Sequence, residues 1–401
     1  MYHQRFLLGT KIFIFVFLTA CTSRAPLRNP ADLDKVLKTA VEQKRVPGVV
    51  AMVATADGIF YEGAFGLEKD TIFAIASMTK PITSVAVMQL VEADKVRLDE
   101  PAATYLPELS KVQVLEGSTL REPKSPITVR QLLTHTSGFC YEFMNAALHQ
   151  YVAQGKAPSM MAGGDGFLQC PLFFDPGTKW EYGINTDWLG RLVERVTGQS
   201  LEVYFRLRIF EPLGMRDSFF NVPVDKQPRL AALFLRSEDG ALAQEKPQPL
   251  EPVEFFSGGG GLHSTAADYL RFAQAILAGG QLGDQRVLKS ETVSEMGRNQ
   301  VGDLSLPQSF SSVMPEVMTD GSSPPIKFDK FGLGFALNSR ALDSGHGANT
   351  MSWVGIYNTF FWIDREKKVC AVLLSQMLPY GDPGPKRLVK DFYRAVYARL
   401  K

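Results

Sequence analysis

The sequence predicts an α+β fold in which an antiparallel sheet, assembled from both ends of the chain and flanked by helices, carries an inserted, mostly helical lobe. Three observations predict it. β-type apolar runs occupy residues 49–65 and 352–377. The stretch between them shows helical apolar spacing broken by Gly and Pro. Strand and helix patterns do not alternate along the chain as a parallel sheet requires.

Composition sets the outer bounds. The chain has 401 residues, 45% apolar and 21% charged, which suits a protein with a large buried core rather than a disordered or fibrous one. The formal net charge is +1, and no run of like charges marks a nucleic-acid arm.

The first elements follow different rules from the rest. MYHQRFLLGTK carries Arg5 and Lys11, the nine-residue apolar run IFIFVFLTA follows, and Cys21 comes next. That is the pattern of a secretory signal, and the run is far short of the roughly 20 apolar residues a membrane-spanning helix needs. Leu18-Thr19-Ala20-Cys21 resembles a bacterial lipobox, which implies a lipid anchor at Cys21. Thr22 in place of Asp after that cysteine resembles the signal for outer-membrane retention. The expected organisation is a signal peptide at 1–20, a tether at 21–28 and one catalytic domain at 29–401. Its α/β part covers about 29–76 and 331–401, and its helical part about 77–330. The environment, if extracytoplasmic, permits a disulfide, for which Cys140 and Cys170 in turn-rich sequence are the better-placed pair; Cys370, inside VCAVLLSQM, reads as a buried thiol.

In chain order, ADLDKVLKTAVEQKRV places Leu33, Val36, Leu37, Ala40 and Val41 at helical spacing. VVAMVATADGIFYEGAFG reads as a hairpin turning at Asp57-Gly58. ITSVAVMQLVEADK continues a helix that begins near Ser77, with Pro81 tolerated in its first turn. VRQLLTHTSG, TDWLGRLVERVTGQ, LEVYFRLRIFEPLG and AADYLRFAQAILAGG are helical patterns with glycine stops. Residues 299–327 have no period and read as a long surface loop. SWVGIYNTFFWID, the charged turn REKK and VCAVLLSQM read as one hairpin. The closing PKRLVKDFYRAVYARLK is an amphipathic helix presenting Leu388, Val389, Phe392, Val396 and Leu400.

The chemistry narrows to FAIASMTKPITS, which holds the chain's one Ser-x-x-Lys, Ser77 and Lys80. On a helix this spacing puts both side chains on one face, and a serine nucleophile needs such a base within about 3 Å. No Gly-x-Ser-x-Gly elbow is present, and the five histidines show no metal-ligand spacing, so neither metal nor cofactor is expected. His135 reads as a turn histidine with satisfied hydrogen bonds. The glycines at 258–261 lack a phosphate-loop context and read as close backbone packing or a turn.

Five motifs, SMTK at 77–80, RQLLTHTSG at 130–138, WEYGINTDWLG at 180–190, GGGGLHSTAADYLRFAQ at 258–274 and WVGIYNTFFWID at 353–364, occur in an order that resembles serine hydrolases of the class C β-lactamase and DD-peptidase superfamily. The match is nearest to the bacterial family VIII carboxylesterases and spans the mature chain. The resemblance implies a β-lactamase/transpeptidase-like fold with Ser77 as nucleophile and Lys80 and Tyr182 as proton-handling residues. It also implies an oxyanion hole from the backbone N–H groups of Ser77 and Ile356. Trp353, Gly355, Asn185 and His346 are the substrate-binding candidates. The lactamases' Tyr-x-Asn becomes Tyr182-Gly183-Ile184-Asn185 here, one residue late for the asparagine. Where β-lactamases carry a cation in the third motif, this sequence has Trp353-Val354-Gly355, which implies neutral, short-chain carboxylic esters as substrates rather than anionic β-lactams. The same residues leave open a β-lactamase or DD-peptidase, and a cell-envelope binding protein that has lost turnover.

Overall fold

The structure is a computed structural model that describes residues 31–55, 58–237, 239–246 and 250–400. Cys21, the apolar leader and Asp57 lie outside the described residues. The elements that position the site are α1 (Ala31–Glu42), β1 (Val49–Thr55), β2 (Gly58–Phe65), α2 (Thr79–Glu92), α3 (Asn185–Thr197), α4 (Ala266–Leu277), β3 (Lys330–Phe331), β4 (Ala336–Leu337), β5 (Met351–Gly355), β6 (Thr359–Asp364), β7 (Val369–Leu374) and α5 (Pro383–Ala398). The seven strands form one sheet in the order β3-β4-β5-β6-β7-β1-β2, every neighbour antiparallel.

β1 joins the two ends of the chain. Val50 faces Leu374 on one side and Ala64 on the other, so the first strand sits inside the sheet and is buried throughout most of its length. Alternation along β6 then sends side chains to opposite faces. Trp362 packs against Phe392 of α5 at 6.2 Å between ring centroids, whereas Phe361 packs against Tyr269 of α4 at 5.0 Å. The expected apolar face of α5 is buried at Leu388, Val389, Phe392 and Val396, and that of α1 at Leu33, Leu37 and Ala40.

The helical patterns of the middle segment also form. α3 ends at Gly198 in the left-handed region, φ 69°, as a glycine stop requires. The helix in RQLLTHTSG is shorter than its apolar spacing suggests, covering Val129–Leu133, because His135 turns the chain at φ 57°. Among the described residues, no helix is long and apolar enough to cross a membrane.

Three expectations change. SWVGIYNTFFWID is not one strand but two, β5 and β6, joined by a turn at 356–358. Asn358 takes φ 62°, and its side-chain amide donates to the carbonyls of Met377 (2.9 Å) and Pro379 (3.1 Å). Residues 299–327 form neither helix nor strand, yet they are not merely a surface loop: Phe310, Met318 and Ile326 are buried, and the segment docks through Val313 N–H donating to the Phe143 carbonyl at 2.9 Å. Cys140 and Cys170 are both buried free thiols rather than a disulfide. The Cys140 thiol is oriented towards the Gly138 carbonyl and accepts from the Asn145 amide, and burial pushes the Cys170 thiol up to about 12.

Candidate active site

Ser77 sits in a single 3₁₀ turn, Ala76–Met78, that runs directly into α2. Ala76 takes φ 44°, a conformation that costs a non-glycine residue on the order of 1–2 kcal/mol. The surrounding bonds hold it there. Ile75 N–H donates to Leu262 O at 3.0 Å, Leu262 N–H to Thr79 Oγ1 at 3.1 Å, and the Tyr269 hydroxyl to Met78 O at 2.8 Å. Fixed strain of this kind is a common property of nucleophile turns.

One turn later, Lys80 is buried and its three ammonium hydrogens have three acceptors. Nζ lies 3.2 Å from Ser77 Oγ, 2.8 Å from the Tyr141 hydroxyl and 2.6 Å from the Gly259 carbonyl. It also lies over the rings of Tyr182 (4.8 Å) and Tyr141 (5.1 Å). The Tyr141 ring packs edge-on against that of Tyr182 at 5.0 Å, and the Tyr182 hydroxyl accepts a hydrogen bond from Trp353 Nε1 at 3.2 Å. Ser77, Lys80, Tyr182 and Trp353, all candidates from the sequence, thus meet in one cluster. The 930 Å³ groove lined by Leu106, Trp188 and Arg195 contains none of them.

Tyr141 is the member of this cluster that the sequence did not single out. Burial, with the neighbouring Tyr182 and Asp187 adding to it, pushes its phenol well above the usual range, so it stands here as a neutral hydroxyl that accepts from Lys80. Tyr141→Phe should lower kcat/KM on a p-nitrophenyl ester by roughly 10- to 100-fold through loss of the hydroxyl that accepts from Lys80. Wild-type kcat/KM in that variant would remove Tyr141 from the catalytic cluster.

Asp187 was also missed. It is buried behind Gly259, accepting from Ser257 Oγ at 2.6 Å and Gly259 N–H at 3.0 Å, and it thereby fixes the carbonyl that Lys80 uses. Burial raises its carboxyl above the ordinary 3.8, while the Lys80 charge works in the opposite direction. The glycine run at 258–261 is close backbone packing, as expected: a Cβ on Gly259 would lie 2.3 Å from Asp187 Oδ2.

The remaining candidates separate. Gly355 ends β5 against the serine turn, where a Cβ would sit 2.2 Å from Thr359 Oγ1 and 2.4 Å from the Ile75 carbonyl. Its bareness therefore accommodates the chain's own backbone rather than a substrate acyl group. Ile356 follows at the tip of the β5–β6 turn, beside the same segment. Gly355→Ala should cost about 1–3 kcal/mol by overpacking. It should also cut kcat more than about tenfold, since Ile75 moves with Ala76 and Ser77. Thermal denaturation beside ester hydrolysis checks both, and an unshifted Tm would show that the contact yields.

Asn185 does not point into the site. Fully buried, it binds the Ser137 hydroxyl through its oxygen and His135 Nδ1 through its nitrogen at 3.0 Å, pinning the 135–138 turn. The extra residue before it places it at the start of α3, one position beyond the lactamase asparagine. His346 is elsewhere as well. It lies under α5 between Trp362, Tyr393 and Tyr397, with Nδ1 2.8 Å from Ser344 Oγ, and burial brings its imidazole down to about 3.

Aromatic side chains wall the site. Trp353 packs with Tyr182 (5.0 Å), Phe331 (5.5 Å) and Phe328 (5.9 Å), and Tyr182 with Phe310 (6.4 Å). Tyr182 also lines a cavity of about 570 Å³ with Met144, Trp180, Leu304 and Pro307. Small-molecule pockets commonly combine such an apolar and aromatic lining with a few placed polar groups.

The model of the family described as Beta-lactamase matches residues 33–393. The monacolin J acid methylbutanoyltransferase of Aspergillus terreus is 31% identical over 403 residues, covering 92% of this chain and 96% of its own. The lovastatin esterase of Penicillium rubens is 31% identical over 401 residues, covering 92% and 98%. The solved structure of simvastatin synthase, LovD, from Aspergillus terreus superimposes with a TM-score of 0.80 at 31% identity, covering 91% of this chain and 97% of that one. Family model, identity and fold together make this chain a member of the β-lactamase family, with the β-lactamase/transpeptidase-like fold.

Proposed function

We propose that the protein is a serine esterase that cleaves short-chain carboxylic esters through an acyl-enzyme, and that water or an alcohol then takes the acyl group. The observation that carries this reading is the placement of Lys80 Nζ between Ser77 Oγ (3.2 Å) and the Tyr141 hydroxyl (2.8 Å). Its curated relatives include both an acyltransferase and an esterase, which supports an acyl-enzyme with either acceptor.

In this reading the reacting form has Tyr182 deprotonated beside the Lys80 ammonium, and Ser77 Oγ forms a bond to the ester carbonyl carbon as its proton passes to the Tyr182 oxygen. Charge on the carbonyl oxygen is met by the backbone N–H groups of Ser77 and Ile356, each such donor being worth about 3 kcal/mol in the transition state. Collapse breaks the carbon–oxygen bond to the leaving alcohol, which receives its proton from Tyr182. Deacylation repeats the sequence with water or an alcohol as the nucleophile. Trp353 Nε1 holds the Tyr182 oxygen throughout. Trp353-Val354-Gly355 supplies no cation to a β-lactam carboxylate at the strand edge, which favours esters.

Turnover of p-nitrophenyl acetate, butyrate and decanoate beside nitrocefin tests the proposal. Hydrolysis of the shorter esters with slow nitrocefin turnover is expected, whereas nitrocefin turnover without ester hydrolysis would assign the chain to the β-lactam-cleaving branch. We propose in addition that the mature chain is held to the envelope by a lipid on Cys21, at the outer membrane facing the periplasm, on the strength of Leu18-Thr19-Ala20-Cys21. A Cys21→Ala protein that still partitions with membranes would overturn that anchor.

A further inference from the structure

A second cleft, of about 470 Å³, opens on the other side of Pro307 from the cavity beside Tyr182; Pro307 lines both. Its floor includes Phe328, whose ring packs against Trp353 and Trp180 of the site. Around it stand Lys327, Lys390 and Arg394, with Asp343 as the acidic member of the lining. None of the three cations forms an ion pair among the described residues, in a chain where most arginines near an acid do so.

A fourth cation borders the same place. Lys386 donates to Ser323 Oγ at 2.8 Å, and Ser323 lines the cleft. Burial and then the neighbouring charge of Lys390 lower the Lys386 ammonium from its ordinary value. Like charges gathered one turn apart on α5 repel one another by a few tenths of a kcal/mol per pair, a cost that a bound anion would reverse. The excess of cations over the single carboxylate matches a dianion, and the guanidinium of Arg394 offers the forked donors that suit phosphate oxygens.

We propose that this cleft binds a terminal phosphate on the substrate, so that the ester carbonyl lies at Ser77 while a chain passing Pro307 carries the phosphate to Lys390, Arg394 and Lys327. The proposal rests on the esterase reading above and names its substrate class: an ester of a phosphate-bearing alcohol. The strand-edge cation that β-lactamases use is absent at Trp353-Val354-Gly355, and recognition of negative charge is relocated to the outer side of the 299–327 segment. Cleavage leaves the acyl group on Ser77 Oγ and releases the phosphorylated alcohol with the proton returned through Tyr182.

Butyrate esters of four-, six- and eight-carbon α,ω-diols, ending in either hydroxyl or phosphate, test it. For the tether that spans Pro307, KM for the phosphorylated ester should be on the order of tenfold lower than for the hydroxyl ester, as two or three charge-assisted contacts would give. Lys390→Glu with Arg394→Glu should abolish that difference while leaving kcat and KM on the hydroxyl ester unchanged, which also shows that the variant folds. Calorimetric binding of both esters to Ser77→Ala protein gives the same comparison without turnover. If neither ester is cleaved but the phosphorylated one binds Ser77→Ala tighter, the esterase reading falls and the cleft stands. Equal binding and equal KM at every tether length would overturn the cleft assignment. So would a variant that keeps the KM difference but loses binding to phosphatidylglycerol vesicles, since that result makes the cations a membrane-facing surface.

Discussion

Ser77→Ala is expected to lower kcat on p-nitrophenyl butyrate by about 10⁴- to 10⁶-fold, the scale on which removal of a serine nucleophile acts. Tm should stay within a few degrees of wild type. The two halves of this expectation come from the same geometry. Ser77 is half-buried, so little packing is lost with its hydroxyl. Lys80 retains two of its three acceptors, the Tyr141 hydroxyl and the Gly259 carbonyl, and no buried cation is stranded. What disappears is the atom that forms the acyl bond in the proposed mechanism, and no other hydroxyl has a partner in Lys80 Nζ except the buried phenol of Tyr141. Labelling by a fluorophosphonate should vanish in parallel. A variant that kept more than about one-hundredth of wild-type kcat, far above the residual expected for a lost nucleophile, would show that ester cleavage occurs elsewhere, and unchanged labelling would say the same of the reactive serine.

The parts of this site that were legible in the sequence are those whose geometry is local. Ser77 and Lys80 are three residues apart on one helix, and that spacing alone brings Oγ and Nζ together. The strands at the two ends were legible because β1, β6 and β7 are buried on both faces and read as near-continuous apolar runs. Tyr182 and Trp353 came from motif order, since nothing in their local sequence distinguishes a site aromatic from a core one. Tyr141, in GFCYEF, has no period and no motif, and only the tertiary fold carries it to Lys80. Asp187 reads as an ordinary acidic residue in the first turn of α3. Phe310 and Phe328 lie in or beside a stretch without regular structure, where a pattern-based reading has nothing to hold. Asn185 and His346 failed for the opposite reason. Both stand beside recognisable motifs, but an extra residue in one case and the β4–β5 connection in the other turn them into the core. The single strand expected across 353–364 divides at Asn358, whose left-handed backbone is the one local sign of the turn.

Lys80→Met should reduce kcat by about 10³- to 10⁵-fold, because Ser77 loses the group adjacent to its hydroxyl and the tyrosines lose their cation. Its effect on stability should depend on pH in a direction set by Asp187. That carboxyl is raised above its ordinary 3.8 by burial and held back by the Lys80 charge, so removing the charge lets burial raise it further. A group whose value is raised on folding contributes its full stability below the unfolded value of 3.8 and loses it as pH climbs through the folded value. The deficit of Lys80→Met relative to wild type should therefore be smallest near pH 4 and grow towards pH 8. There a buried charge without its partner costs on the order of 3 kcal/mol. Adding Asp187→Asn to Lys80→Met should recover most of that deficit at pH 8, since an amide can still accept from Ser257 and Gly259 without carrying charge, and it should recover none of the activity. Thermal melts of the four proteins of this cycle at the two pH values separate the coupling from simple loss of packing. A deficit equal at both pH values, or a double variant no more stable than Lys80→Met, would mean that Asp187 holds Gly259 in place through hydrogen bonds alone. Recovery confined to high pH would instead show that the buried carboxylate and the lysine beside the serine are held in charge balance, the condition under which an ammonium can remain in a site so well sealed from water.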